Sequence, residues 1–416
     1  MGFSRKKNFT FLFISLGIFS LSVCFVFVTK LQYLANKVSS KNFIYPSSIV
    51  SGIKGVFLQE TAEPDPVKNI PEVLKAVYVT GWSAGSKNYQ NYLFDLLKTT
   101  QVNAVVIDVK DSGGIVSYAT NAPKAKEYKA YRGQIINIDA LIKNLHDRGV
   151  YVIGRIVVFE DPILAKSRPD LAVYNTLKTK DPLKPVVWQD NRGLSWMDPA
   201  SKEVLDYNIE IASDALNRGF DEINFDYIRF PTDGQESTMG YPIWDAKTPK
   251  YIIIKNVFQK LREAFPDKRL SVDIFGQTTT NTDDMGIGQV FEDALAYFDY
   301  VSPMVYPSHY APGFLGYKNP AEYPYEIITY AIDSAVARKK VLDAVKNQPS
   351  IPLVASAKIR PWLQDFNMGA VYGKDMVLQE IKAVSDAMGD DFNGYMLWNP
   401  SNVYTKEAII SDKILP

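Results

Sequence analysis

Short β-branched and aromatic runs alternate with longer segments of helical periodicity from Lys75 onward, and this alternation limits the possible folds more than any other feature of the sequence. Such a run is typical of a buried parallel strand, and the segment after it is typical of a crossover helix. The predicted strands are Ala76–Gly81, Ala104–Lys110, Tyr151–Phe159, Glu222–Phe230, Leu270–Gly276, Tyr300–Tyr306, Lys358–Gln364 and Gly394–Trp398. The predicted helices are Tyr89–Thr99, Ile138–Asp147, Ser201–Asn217, Tyr251–Phe265, Tyr323–Val345 and Lys374–Met388. Eight strand–helix units in roughly 340 residues predict an α/β fold, the (β/α)8 TIM barrel with enlarged βα loops.

A doubly wound open sheet is the alternative fold. It normally has a glycine-rich phosphate loop after its first strand. The corresponding turn here, Gly81-Trp82-Ser83-Ala84-Gly85, lacks the dinucleotide-binding spacing. The barrel is therefore favoured.

The N-terminus predicts a membrane anchor. Arg5, Lys6 and Lys7 precede an almost uninterrupted apolar run, Phe9–Val28, which as a helix would reach about 30 Å and cross a bilayer. We predict a signal anchor, a transmembrane helix over residues 1–29, and the flanking cations place the remainder of the chain outside the cytoplasm. A lipid attached to Cys24 is the alternative.

Residues 30–72 predict a linker, because they mix Ser, Lys, Asn, Gly and Pro without a sustained period. The alternative is a packed extension of the domain that uses the apolar patch Ile49–Leu58. The barrel domain is then expected over residues 73–416.

Composition excludes several classes of function. The 46 basic and 46 acidic side chains balance, so the chain has no general positive field for nucleic acid. Two histidines and one cysteine are too few for an imidazole-rich metal site or a thiol redox pair. We expect no metal, no organic cofactor and no obligate protein partner.

Polar side chains accumulate where the predicted strands end, which is where barrel enzymes place their chemistry. Asp226 is one of the polar residues in the last part of predicted strand four, and Asp273 lies on strand five. Neighbouring strands are about 4.8 Å apart, so these two carboxyls are expected to approach each other. Glycoside cleavage needs such a pair, one carboxylate as nucleophile or base and one protonated carboxyl as acid. In the structural alternative, a buried Asp226 would simply pair with a cation such as Arg229.

Further strand-end residues are candidate substrate-binding groups. By the period of two, Asp108 and Lys110 are expected on one face of strand two, either as an ion pair or as site residues. Lys110 inside the barrel would also suit a Schiff-base aldolase, the weakest of the alternatives. The full candidate set is Trp82, Asp108, Lys110, Arg155, Glu160, Asn224, Arg229, Tyr306, His309, Trp362, Gln364, Trp398 and Asn399.

The tryptophans favour a sugar substrate. All six lie at predicted strand ends or in the loops after strands three and four: Trp82, Trp188, Trp196, Trp244, Trp362 and Trp398. Flat aromatic faces pack against the apolar face of a pyranose ring. The structural alternative is that large loops need aromatic cores of their own.

Several strings resemble a known family: VYVTGW, VVIDVKD, WMDP, GFDEINFDYIRFP, SPMVYPSHY and GYMLWNPS. They are similar to the glycoside hydrolase family catalogued as domain of unknown function 4015, over roughly the last four-fifths of the chain. The resemblance implies a TIM barrel and a carbohydrate-active role. In barrel glycosidases of the α-amylase and α-galactosidase groups the nucleophile is an aspartate that ends strand four, and Asp226 matches that position. The α-amylase group has an arginine two residues before it and a glutamate on strand five, where this sequence has Asn224 and Asp273.

The sequence as a whole predicts an extracytoplasmic glycoside hydrolase, anchored in the cell membrane, that cleaves a cell-wall or exopolysaccharide chain, with Asp226 as nucleophile or base and Asp273 as acid. The alternative is an envelope protein that binds polysaccharide without cleaving it.

Overall fold

Eight parallel strand positions form a closed barrel in the computed structural model, which describes residues 70–346 and 357–410. The strands are β1 (Leu74–Val79), β2 (Ala104–Lys110), β3 (Tyr151–Val157), β4 (Glu222–Asp226), β5 (Leu270–Phe275), β6 (Tyr300–Met304), β7 (Lys358–Ile359 and Trp362–Gln364) and β8 (Gly394–Trp398). Each strand pairs in parallel with the next, and β8 pairs with β1. The TIM barrel is therefore confirmed, and the open doubly wound sheet is wrong.

Helices and long loops connect the strands. The helices are Gly81–Gly85, Lys87–Thr99, Pro123–Glu127, Ile138–His146, Pro162–Ser167, Lys202–Asn217, Lys250–Ala264, Phe291–Tyr297, Pro324–Lys346 and Lys374–Met388. A small antiparallel pair, Tyr174–Asn175 with Met239–Gly240, joins the loops that follow β3 and β4. The six long helices predicted from periodicity are all present.

Strand β2 shows why these runs form a barrel. All seven of its residues are buried, as expected for a strand with helices on one side and the barrel interior on the other. Val105 and Ile107 pack in the outer apolar layer, whereas Ala104 and Val106 belong to the interior cluster.

The lower part of the barrel interior is filled, and this leaves the carboxyl ends of the strands for a site. The interior cluster contains Leu74, Ala76, Ala104, Val106, Tyr151, Ile153 and Met396. Arg360, between the two segments of β7, forms a fully buried ion pair with Glu222 of β4. Such packed layers are typical of this fold.

Within residues 70–346 and 357–410, no helix has the length and apolarity needed to cross a membrane. The predicted anchor lies outside these residues, as does nearly all of the predicted linker. Both remain predictions, together with the domain boundary at residue 73.

Candidate active site

A cavity of about 760 Å³ opens at the carboxyl end of the barrel. The ends of six strands contribute side chains to it: Arg155, Asp226, Asp273, Met304, Trp362 and Trp398. Its volume lies within the range of small-molecule sites, and its position is the one that barrel enzymes use.

Asp226 is held by Arg155 rather than by Arg229. The Nη2 and Nε atoms of Arg155 donate to Asp226 Oδ2 at 2.6 and 3.0 Å, and Nη1 donates to Asp108 Oδ1 at 2.7 Å. Tyr78 donates its hydroxyl proton to the other Asp108 oxygen at 2.6 Å. All of these side chains are buried. One guanidinium therefore bridges two carboxylates and fixes the orientation of Asp226.

The backbone at Tyr227 also holds Asp226. Tyr227 has φ +55°, a left-handed conformation that is costly for a bulky residue. This turn ends β4 at Asp226, four residues before the predicted end at Phe230, and brings the Tyr227 N–H to 2.6 Å from Asp226 Oδ1. Arg155 therefore fixes Oδ2 of Asp226, and the turn at the end of β4 fixes Oδ1.

Asp273 has a different environment. Its Oδ1 accepts hydrogen bonds from Asn224 Nδ2 at 2.9 Å and from Trp362 Nε1 at 2.8 Å. Burial raises the pKa of Asp273 well above its usual value, and the negative charge of Asp226 raises it further, although Asn224, Arg155 and Trp362 act in the opposite direction. Asp273 therefore keeps its proton at higher pH than an ordinary aspartate.

The two aspartates lie side by side. Phe225 of β4 is opposite Val272 of β5, so the next residues, Asp226 and Asp273, are at the same level of the barrel. Both carboxyls are buried, but Asp226 has a cation bound to it, whereas burial and the neighbouring charge raise the pKa of Asp273. Environments that separate two neighbouring carboxyls in this way are typical of an acid and a base in one site.

Aromatic rings form one wall of the cavity. The rings of Trp398 and Tyr78 stack with centroids 3.9 Å apart, and Trp362 meets Trp398 edge-on at 5.5 Å. The guanidinium of Arg155 lies 5.1 Å from the Trp398 ring. Of the six tryptophans only Trp362 and Trp398 line this cavity.

Three other predicted residues line the cavity: Arg229, Tyr306 and His309. Arg229 donates to Asp233 Oδ2 at 2.6 Å, and its guanidinium lies 4.7 Å from both the Trp196 and the Phe275 ring. Burial lowers the pKa of His309, so its imidazole is neutral at neutral pH. These contacts make Arg229 part of the wall and not the partner of Asp226.

Seven predicted residues do not line the cavity: Trp82, Asp108, Lys110, Glu160, Asn224, Gln364 and Asn399. Asp108 and Asn224 lie behind the cavity wall, where Asp108 accepts a hydrogen bond from Arg155 and Asn224 donates one to Asp273. Gln364 accepts from the Ser308 hydroxyl at 2.7 Å, and Asn399 donates to Val403 O at 2.6 Å, so both organise loops. The Trp82 side chain is exposed.

The expectation that Lys110 shares a face with Asp108 is wrong. The register of β2 against β3 shifts between these residues, so that Asp108 pairs with Arg155 and Lys110 with Ile156. Lys110 is fully buried and donates to Asp161 Oδ2 at 2.7 Å. The bulge turns the ammonium away from the cavity, and an aldolase that uses Lys110 loses its structural basis.

Glu160 is buried behind a wall residue of the cavity. One oxygen of its carboxyl group accepts a hydrogen bond from Arg192, which lines the cavity. Burial raises the pKa of Glu160 to about 8, even though Arg192 lowers it. Glu160 thus supports Arg192 as a largely protonated group at neutral pH.

Phe275, the last residue of β5, and several loop residues complete the cavity, and the sequence did not identify them. They are Asn191, Arg192, Asp233, Phe275, Gly276, Gln277, Met285, Gln289 and Tyr310. Most of them lie several residues beyond a strand, where neither the period of the sequence nor its spacing indicates which way a side chain points. Tyr227, inside GFDEINFDYIRFP, also lines the cavity and was not among the candidate residues.

Within the described part of the chain, no group of three or more His, Cys, Asp and Glu side chains is arranged to hold a metal ion.

Comparison with one solved structure, the first of the three described here, supports the fold. The glycoside hydrolase domain of PgaB (BpsB) from Bordetella bronchiseptica is 16% identical with a TM-score of 0.54, over 81% of this chain and 99% of that one. A hypothetical protein from Ruminiclostridium thermocellum ATCC 27405 is 37% identical over 51% of this chain and 98% of that one, with a TM-score of 0.43. The glycoside hydrolase domain of PelA from Pseudomonas aeruginosa is 11% identical, over 80% and 97%, with a TM-score of 0.42.

No curated protein sequence matches the chain. Residues 76–404 match the model of the family domain of unknown function 4015, described as "putative glycosyl hydrolase domain". The match covers well over half of the chain and includes all of the strand ends that line the cavity. The chain therefore belongs to this family and carries a glycoside-hydrolase-like TIM barrel.

Proposed function

We propose that the protein is a glycoside hydrolase that cleaves a cell-wall or exopolysaccharide chain with two carboxyl groups. Asp226 is the nucleophile or the base, and Asp273 is the acid. The observation that carries the proposal is the pair of opposed environments in one cavity. Arg155 and the Tyr227 N–H hold the oxygens of Asp226, whereas burial raises the pKa of Asp273 and so favours its protonated form.

The chemistry follows from these environments. Protonated Asp273 gives its proton to the glycosidic oxygen, and the electrons of the breaking C–O bond move to that oxygen. Asp226 either attacks the sugar carbon directly or removes a proton from the attacking water. The wall formed by Trp398 suits the apolar face of a sugar ring.

Activity on a panel of bacterial polysaccharides tests the proposal, with release of reducing ends as the readout. Asp226→Asn and Asp273→Asn should each lower kcat by at least about a hundredfold, a loss expected for a general acid or base. Asp147→Asn is the matched control, because Asp147 is exposed and forms an ion pair with the exposed Lys143, outside the cavity lining. Turnover like that of the wild type in both cavity variants would end the assignment.

The anomeric form of the first product then separates the two roles of Asp226. Retention of configuration would identify a nucleophile, and inversion would identify a base. Binding of glycan that is unchanged in Asp226→Asn, without any reducing-end release by the wild type, would instead indicate a non-catalytic polysaccharide-binding protein.

We also propose that residues 1–29 anchor the enzyme in the cell membrane with the barrel outside the cytoplasm. The proposal rests on the length of the apolar run Phe9–Val28 and on the cations before it. The full chain should sediment with membranes and require detergent for release. Release into the medium without detergent would refute the anchor.

A further inference from the structure

The hydrogen bonds of Asp273 are distributed unequally over its two oxygens. Oδ1 accepts both N–H donors, from Asn224 and Trp362, at 2.9 and 2.8 Å. Oδ2 accepts no hydrogen bond from any residue in the ranges 70–346 and 357–410. Because Asp273 lines the cavity and Oδ1 is turned toward the two donors, Oδ2 is the oxygen available to a bound substrate.

Neither donor can exchange its role with Asp273. An indole N–H donates and never accepts, so Trp362 cannot receive a proton from Oδ1. Trp362 is fully buried against Trp398, which prevents it from turning away.

The amide of Asn224 is oriented by a buried chain of hydrogen bonds. The Ser271 hydroxyl donates to Glu222 Oε1 at 2.5 Å, and Arg360 holds the same carboxylate. Since its proton is used in this way, the Ser271 oxygen accepts from Asn224 Nδ2 at 3.1 Å. The NH2 group of Asn224, and not its carbonyl oxygen, therefore points toward both Ser271 and Asp273.

Three charged or titratable groups face Asp273 from the neighbouring elements. They are Arg155 on β3, Asp226 on β4 and Tyr306 in the loop after β6. Burial raises the pKa of Tyr306, and the two aspartates raise it further, so its phenol is neutral. Asp226 and Arg155 act on Asp273 with opposite signs. Trp362 and Asn224 are neutral contacts that favour the ionised form without adding charge.

We propose that Trp362 and Asn224 are positioning residues that confine the proton of Asp273 to Oδ2 and direct it to the leaving oxygen. The proposal rests on the function proposed above, in which Asp273 is the acid. With two N–H groups pointing at Oδ1, the neutral acid can carry its proton only on Oδ2. Once that proton has moved to the glycosidic oxygen, Asp273 becomes a carboxylate, and the same two donors stabilise its charge.

Trp362→Phe tests the role of the indole N–H, because phenylalanine keeps an aromatic ring in place and removes the donor. Loss of a donor to the carboxylate disfavours the ionised form, so the carboxyl group should lose its proton at a pH about one unit higher than in the wild type. The titration is followed by infrared difference spectra of the detergent-solubilised full chain, with Asp273→Asn identifying the band of the Asp273 carboxyl. This readout needs no substrate, and a purely structural role for Trp362 would leave it unchanged.

Trp188→Phe is the matched control, since Trp188 is also buried, lies outside the cavity lining and donates its indole N–H to the Thr238 hydroxyl at 3.2 Å. Its Asp273 band should titrate as in the wild type. Asn224→Leu provides a second variant of similar size, and it should shift the titration in the same direction as Trp362→Phe. If the Asp273 band titrates at the wild-type pH in folded Trp362→Phe and folded Asn224→Leu, the positioning role is wrong.

Steady-state kinetics separate this inference from the proposed function. They are measured on the polysaccharide of the panel that the wild type cleaves. Trp362→Phe should lower kcat roughly tenfold with little change in KM, and it should move the alkaline limb of the pH profile upward by about one unit. Wild-type activity in Asp273→Asn would refute the acid itself. An inactive Asp273→Asn together with an unmoved alkaline limb in Trp362→Phe would refute only the positioning.

Discussion

Replacing Arg155 with methionine should leave two buried carboxylates without their cationic partner. Arg155 donates three hydrogen bonds, two to Asp226 and one to Asp108, and all three side chains are almost fully buried. Removing one partner of a buried ion pair costs about 3 to 5 kcal/mol, because a charge is left without compensation. Two carboxylates lose the same cation here, so we expect a loss of about 5 kcal/mol in the free energy of unfolding at pH 7.5.

The loss should depend on pH in a defined direction. Burial already raises the pKa of Asp108, so without Arg155 this carboxylate binds a proton as the pH falls, and a neutral carboxyl costs less to bury than a charged one. The deficit of Arg155→Met relative to the wild type should therefore shrink between pH 7.5 and pH 5. Urea denaturation of both proteins at the two pH values measures it.

Arg168→Met is the matched control. Arg168 also bridges two carboxylates, those of Asp170 and Glu203, but both partners are more than half exposed. Exposed ion pairs contribute about 0 to 1 kcal/mol, so this variant should unfold almost like the wild type at either pH. A deficit in Arg155→Met that is as small as in Arg168→Met, or that stays constant with pH, would refute the account of the Arg155 bridge.

Two further predictions concern the walls of the cavity. Glu160→Gln should gain stability relative to the wild type as the pH rises from 5.5 to 9. The folded wild type holds the Glu160 proton up to about pH 8, whereas the unfolded chain releases it near pH 4.3, so the contribution of Glu160 to stability is lost over this interval. The gain should reach about 3 kcal/mol by urea denaturation, because about 2.5 pH units separate pH 5.5 from the folded pKa and each contributes 1.36 kcal/mol, and a gain independent of pH would contradict it. Trp398→Ala, made in the Asp226→Asn background, should weaken polysaccharide binding about tenfold, because it removes the indole ring that the proposed function places against the sugar. Unchanged binding in a pull-down would show that Trp398 contacts no sugar.

The sequence predicted the barrel and the two central aspartates because both depend on local rules. Buried parallel strands are short apolar runs, and a period of two assigns each side chain to the inside or the outside. Asp226 and Asp273 are on the inner face by that rule, and the structure places both in one cavity. The carboxyl ends of the strands lie at one end of the barrel. The positions of these two residues could therefore be predicted without knowing the conformation of the loops.

The partners of these residues could not be predicted in the same way. Asp226 is held by Arg155, which lies 71 positions earlier in the chain, and not by Arg229, which lies three positions later. A shift of register within β2 turned Lys110 outward, and the sequence contains no local signal for that bulge. Trp362 was predicted as a platform for sugar, yet its indole N–H binds Asp273. Periodicity indicates which way a side chain points. The charges and hydrogen bonds that determine its chemistry come from strands that are distant in sequence. The protonation of Asp273 depends on three such strands, β3, β4 and β7.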